Sequence, residues 1–250
     1  MLHQFSRTEL AIGPEGLEVM KNSTVAVLGI GGVGSIAAEA LARTGVGRII
    51  LIDKDVVDIT NVNRQIHALT TTVGQPKADL MRDRIKLINP DCDAVSLRMF
   101  YTEETAEQLF AYPLDYVLDA SDTISYKIHL IKECLRRKIP IISSMGAANK
   151  MDPSRFQVAD ISKTTVDPIA RVIRTKLRKE GIKKGVKVVF STEEPIKPRT
   201  DVTQRIVPEN APEIRKAQQP PASNAFVPPV AGLIMVSVAV RDLLAKAGVK

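Results

Sequence analysis

Residues 24–44 read TVAVLGIGGVGSIAAEALART. Five apolar or β-branched residues lead into Gly29, Gly31, Gly32 and Gly34, and then into an alanine- and leucine-rich stretch of helical length. A strand that ends in glycines and restarts as a helix opens a βαβ unit. Glycine there lets the chain turn tightly, backbone N–H groups can approach an anion, and the helix N-terminus adds partial positive charge. Outward from this point, strand-like runs at 24–29, 48–53, 94–99, 116–119 and 140–144 alternate with helical periods at 35–44, 77–88, 105–110 and 125–138. The runs 25–28, 49–52 and 117–118 are apolar on consecutive positions, as strands covered on both faces require. The spacing predicts an α/β fold, a Rossmann-like, doubly wound, mostly parallel sheet.

At 250 residues and 44% hydrophobic content the chain can bury one large core. Residues 1–150 are expected to form the nucleotide-binding region, and 151–250 a basic extension packed on it within the same domain. After residue 146 the pattern changes to a helix at 167–180, a strand at 186–191 and an apolar run at 226–240. Between the last two lies 192–224, with six prolines and no period, expected to be mobile. The apolar run has 15 residues, about 22 Å as a helix against about 30 Å of bilayer hydrocarbon, so it reads as a buried core helix and no membrane is expected as a partner. Two cysteines, Cys92 in a loop and Cys134 on an apolar helix face, supply neither a disulfide framework nor a four-thiolate zinc site. The first residues, MLHQFSRTEL, lack the shape of a signal peptide, and a cytoplasmic location is expected.

The net charge of +7 is unevenly placed. Residues 1–150 carry 17 Lys and Arg against 18 Asp and Glu, whereas 151–250 carry 18 against 10. An excess confined to one region points to a polyanionic partner, nucleic acid or anionic lipid, or else serves solubility. In the helix at 167–180, Ile169, Val172, Ile173 and Leu177 share one face, and Arg171, Arg174 and Arg178 fall in a stripe opposite. Lys179, Lys183 and Lys184 extend the positive field, a track suited to RNA phosphates.

The glycine loop with Asp53, 19 residues beyond Gly34, equally suits an NAD-dependent oxidoreductase, Asp53 accepting from ribose hydroxyls. The segment Asp53-Lys54-Asp55, then Asn61-Val62-Asn63-Arg64-Gln65 and Gly74-Gln75-Pro76-Lys77, shifts the balance. A triphosphate carries about twice the charge of a dinucleotide pyrophosphate, and Arg64 and Lys77 supply the cations that displacing its pyrophosphate needs. Asp119 and Asp122 follow a strand, where Mg2+ can be held together with phosphates.

These marks together resemble the ubiquitin-activating-enzyme superfamily: Arg7 in FSRTELAIGPEGLEVMKNSTV, the Gly29 to Gly34 loop, LIDKDVVDITNVNRQ, TVGQPKA and LDASD. The resemblance implies ATP as cosubstrate, with Gly32 against the phosphates, Asp53 on the ribose, Arg64 and Lys77 on the triphosphate, and Asp122 governing Mg2+. Gly29, Gly31, Gly34, Asp55 and Asn63 are further candidate nucleotide contacts. It also implies a homodimer, with Arg7 reaching the neighbouring subunit's site. Two CxxC pairs and a nucleophilic crossover cysteine, frequent in that superfamily, are missing here. The stretch GAANKMDPSRFQVADISKTTVDPIARVIRTKLRKEGI, with VVFSTEEP and AFVPPVAGLIM, resembles the tRNA threonylcarbamoyladenosine dehydratase branch. That resemblance implies adenylation of the threonyl carboxylate by ATP, followed by ring closure. A carrier-protein activator and an RNA-binding nucleotide sensor are the competing readings. His67 reads as a loop residue without a role, and no motif specifies a monovalent cation or a sulfur-relay protein partner.

Overall fold

In the computed structural model, residues 2–199, 201–202 and 221–249 are described. The helix α1 (Ser6–Lys21), broken at Gly13-Pro14, precedes β1 (Thr24–Leu28), α2 (Gly34–Thr44) and β2 (Arg48–Ile52). There follow α3 (Lys77–Ile88), β3 (Asp93–Leu97), α4 (Ala106–Phe110), β4 (Tyr116–Asp119), α5 (Ile124–Arg137) and β5 (Ile141–Ser144). The chain continues through β6 (Phe156–Asp160), α6 (Pro168–Lys179) and β7 (Lys187–Ser191) to α7 (Val227–Lys246).

The strands form one sheet in the order β3-β2-β1-β4-β5-β7-β6, parallel except for β6, which runs against β7 at the edge. Its central strands β1, β4 and β5 are buried along their whole length, which is why residues 25–28, 117–118 and 141–142 are apolar on consecutive positions. One face is covered by α2, α3 and α7, whose Leu41, Met81, Ile85 and Met235 meet Val25, Val27 and Leu51. The other is covered by α4, α5 and α6, with Leu109, Leu130, Cys134, Ile173 and Leu177 against Ala26, Ile50 and Val117. Each fully buried aliphatic side chain of this kind contributes about 1.5–3 kcal/mol.

Two features depart from the sequence reading. Residues 151–250 are not an extension laid on a finished sheet, because they supply β6, β7 and one helix to each face. Moreover, α7 is 20 residues long, continuing past the apolar run to Lys246. It is long and apolar enough to cross a membrane, yet Val227, Ala231, Met235, Ala239 and Leu243 are packed into the core. Its one acidic residue, Asp242, accepts hydrogen bonds from Tyr116 Oη (2.7 Å) and Lys187 Nζ (2.6 Å), pinning the helix to β4 and β7.

Where α7 crosses α2 the backbones are so close that only glycine fits. A Cβ on Gly232 would collide with the Val33 carbonyl oxygen and with Ile36. The segment joining β2 to α3 buries His67 with both ring nitrogens unpaired among the described residues. Burial, reinforced by the charges of Lys77 and Arg84, pushes its pKa down to about 4. Cys92 likewise lies in the core rather than in an open loop, and burial raises its thiol to about 11.

Gly232→Ala should therefore cost about 1–3 kcal/mol by overpacking, or roughly 2–10 °C in Tm, as read by thermal denaturation. For His67 the unfolded chain takes up a proton near pH 6.5 and the folded chain only near 4. Stability is then complete above pH 6.5 and falls by up to about 3 kcal/mol as pH drops toward 4. Denaturant titrations should show a flatter pH dependence for His67→Leu over that window; identical slopes would mean that His67 is not held neutral.

Candidate nucleotide-binding site

Because the strands are parallel, every strand of the βαβ units ends, and every following helix begins, at the same edge of the sheet. The order reverses between β1 and β4, and a cavity of about 760 Å³ opens at that point. Its first wall is the glycine loop. Gly29 has φ 85°, donates to the Ile52 carbonyl at 2.8 Å, and passes so near Ala120 and Ser121 that a Cβ would sit 2.9 Å from their backbone. Gly31 and Gly32 line the cavity, and a Cβ on Gly32 would come within 3.0 Å of Pro228 and 3.1 Å of Arg64. Gly34 does not line it; this residue lies against the Gly29 carbonyl and allows α2 to start close to the strand.

Asp53 braces the loop from the end of β2, accepting from Ile30 N (2.7 Å) and Asp55 N (2.8 Å). Burial raises its pKa above the ordinary carboxylate value, against the pull of those amides and of Lys77. Lys77, first residue of α3 and 7% exposed, reaches Asp55 at 3.4 Å, while Asp55 also holds Lys54 at 2.7 Å. Arg64 donates to Thr60 O (3.0 Å) and to Asn63 Oδ1 (2.8 Å), and burial lowers its pKa. Asn63 itself does not line the cavity; its amide donates to Ser223 O at 3.1 Å, and buried Asn61 stands in the wall instead.

The two carboxylates after β4 have different fates. Asp122 is exposed at the rim, beside the start of α5. Asp119 is fully buried, accepting from Ser143 Oγ (2.6 Å), Ser121 Oγ (2.8 Å) and Lys127 Nζ (3.1 Å). Lys127 is only 1% exposed and also donates to Ser144 O at 2.7 Å. The signal for it was readable: Lys127 stands at helical spacing from Leu130, Ile131 and Cys134, a charge on an apolar face.

The far wall was not anticipated. It consists of the loop after β5, from Met145 to Lys150, and the start of α6. Asn149, at φ 59°, exchanges hydrogen bonds with Ala222, and its carbonyl accepts from Ile196 N at 2.8 Å. The Glu193 carboxylate caps Met151 N and Asp152 N, and its carbonyl holds Lys150 Nζ at 2.8 Å. Both described flanks of the proline-rich stretch expected to be mobile are thus tied to this wall, while 203–220 lies outside the described residues.

Two buried oxygens of cavity-lining residues, Gln65 Oε1 and Asp167 Oδ2, have no donor among the described residues. An unmade bond of this kind costs about 1–3 kcal/mol, which a ligand N–H or O–H would relieve. The set fits ATP: backbone N–H groups and a helix end at Gly31 and Gly32, cations at Arg64 and Lys77, and an acceptor at Gln65. No group of three metal-ligating side chains occurs among the described residues, and Asp122 alone suits Mg2+ held chiefly by phosphate oxygens.

Three other expectations fall outside the cavity. Arg7 is exposed on α1 and lines no part of it. On α6 the buried face is Ala170, Ile173 and Leu177, while Val172 is 37% exposed. Arg171 and Arg178 are exposed, as are Lys179, Lys183 and Lys184, but Arg174 turns back to hydrogen-bond Thr164 and borders the buried face. Cys134 is buried, its thiol pushed upward by desolvation, so neither cysteine is a ready nucleophile.

A model of the ThiF family matches residues 5–247. The tRNA threonylcarbamoyladenosine dehydratase of Bacillus subtilis is 72% identical over 244 residues, 98% of this chain and 96% of that protein. The dehydratase of Escherichia coli is 40% identical over 253 residues, covering 98% and 94%. The crystal structure of the E. coli tRNA N6-threonylcarbamoyladenosine dehydratase in complex with ATP superposes with a TM-score of 0.87 at 38% identity, covering 98% of this chain and 95% of that one.

Proposed function

The chain belongs to the ThiF family, and on that footing we propose that it is an ATP-dependent dehydratase of threonylcarbamoyladenosine in tRNA. The observation that carries this reading is a single cavity with a phosphate cradle at one end and, at the other, the start of a helix whose exposed face is basic. The threonyl carboxylate attacks the α-phosphorus of ATP and pyrophosphate leaves. The carbamoyl oxygen then closes onto the acyl adenylate, releasing AMP and a ring, with net loss of water.

Each residue's part follows from its placement. The amides of Gly31 and Gly32 take phosphate oxygens, Arg64 and Lys77 neutralise the charge that builds as pyrophosphate departs, and Asp122 holds Mg2+ at the rim. The Asp55 carboxylate keeps Lys77 aimed across the cavity. Arg7 completes the site of a second subunit in a homodimer. Val56, Ile59, Leu69 and Val73, exposed on the segment that carries Arg64, offer an apolar face for that subunit. Arg171, Arg178 and the lysines beyond α6 take tRNA phosphates, and the protein works in the cytoplasm. Activation of a carrier protein through a thioester finds no support in two buried cysteines.

ATP–pyrophosphate exchange should depend on tRNA bearing threonylcarbamoyladenosine; exchange driven by a carrier protein's C-terminal glycine, and not by tRNA, would replace this reading with the activator. Lys77→Ala and Asp122→Ala should each lower turnover at least about a hundredfold. Arg7→Ala should be comparably inactive and regain activity when mixed with Lys77→Ala under subunit exchange; no regain would confine Arg7 to its own subunit.

A double substitution, Arg171→Glu with Arg178→Glu, leaves the hydrogen bonds of Arg174 in place. It should weaken tRNA binding and flatten its salt dependence while ATP affinity stays unchanged. An unaltered salt slope in the folded variant would make the basic face a solvated surface.

A further inference from the structure

Asp167 does more than begin a helix. Its Oδ1 accepts from Ala170 N at 3.0 Å, an N-cap interaction that Asn or Ser would make equally well. Its Oδ2 is buried with no hydrogen-bond partner among the described residues, in a residue only 2% exposed that lines the cavity. A carboxylate is the most expensive group to leave in that condition. The backbone also holds it there under strain: Val166, a β-branched residue, sits at φ 59° in a tight turn closed by Asp167 N donating to Thr165 O at 2.5 Å. Lys150, buried 43 residues from its anchor Glu193 in the chain and bonded to that residue's carbonyl at 2.8 Å, supplies a nearby positive charge for Asp167. The glycine loop, Arg64 and Lys77 line the same cavity and already account for the phosphates, which leaves Asp167, in the far wall, to the group that is brought to them.

Resting on the dehydratase reading, we propose that Asp167 Oδ2 accepts the carbamoyl N–H of the bound threonylcarbamoyl group and takes its proton during ring closure. The balance requires such an acceptor. As the carbamoyl oxygen forms its bond to the acyl carbon, the bond from that carbon to the AMP oxygen breaks and AMP leaves with the electron pair. The adjacent N–H must lose its proton for the ring to emerge neutral, and Asp167 receives that proton before passing it to water as product leaves. Adenylation involves no such proton, so Asp167 separates the two half-reactions: it serves closure and not activation.

The test uses Asp167→Asn and Asp167→Ser, both of which keep an N-cap, with circular dichroism to verify the fold. Exchange of pyrophosphate into ATP in the presence of substrate tRNA reads activation, and cyclised nucleoside formed per AMP released reads closure. Exchange should stay within about threefold of wild type, while the rate of closure falls at least about a hundredfold, the scale of a lost general base, and AMP is released without product as water consumes the adenylate. A wild-type ratio of product to AMP in the folded variants would overturn the assignment, as would an equal loss of exchange and closure in both. Absence of tRNA-dependent exchange in the wild-type protein would instead bring down the dehydratase reading itself, and this assignment with it.

Discussion

A parallel sheet has a direction, and nearly everything at the site follows from it. Strands that all point one way require crossovers that return outside the sheet, so the helices after β1, β4 and the β2 to α3 segment present their N-termini at one edge. Unpaired N–H groups and partial positive charge gather there without any charged side chain being spent. Arg64 and Lys77 add to a field that the backbone has already established. The same geometry explains why Asp53 and Asp119 occur at strand ends: each carboxylate meets amides, hydroxyls or an ammonium that the edge supplies, and each stiffens the loop that follows.

The edge would remain an open shelf without the C-terminal half. The strand β7 extends the sheet beyond β5, and the loop after β5, clamped by Glu193, Ala222 and Asn224, raises the second wall. Meanwhile α7 crosses α2 at Gly232 and brings Pro228 beside Gly32. The phosphate cradle is therefore bounded by residues from both ends of the chain. The walls of this cavity are thus built from both halves of the chain.

Much of the fold was legible in the sequence because burial on both faces leaves little choice of residue. The elements β1, α2, α3, β4 and α6 came within a residue or two of their boundaries, each marked by an apolar run, a glycine or an Asp-Pro start. What escaped lacked such a mark. The edge strand β6 alternates too weakly to read, with Gln157 and Val158 exposed, and α1 is interrupted by Gly13-Pro14. Of the site, the glycine loop, Asp53, Arg64 and Lys77 do converge on one cavity, since their spacing follows the βαβ repeat. Asn63, Gly34, Asp119 and Arg174 point elsewhere, because a one-residue difference in a loop or a turn of helix decides which atoms a side chain meets. Lys150 was hidden for another reason: its bond to the Glu193 carbonyl joins residues far apart in the chain, which no local pattern records, while Asp167 reads locally as no more than an N-cap before Pro168.

The meeting of Pro228 with Gly32 also has a meaning in time. A polypeptide is made from its N-terminus, so β1, the glycine loop and α2 leave the ribosome long before the residues that close over them. Until α7 arrives, the small-residue face of α2 that receives Gly232 stands bare and the cradle lacks a side. The glycine-loop wall of the cavity is thus finished late in the life of the nascent chain, when the C-terminal helix docks on α2.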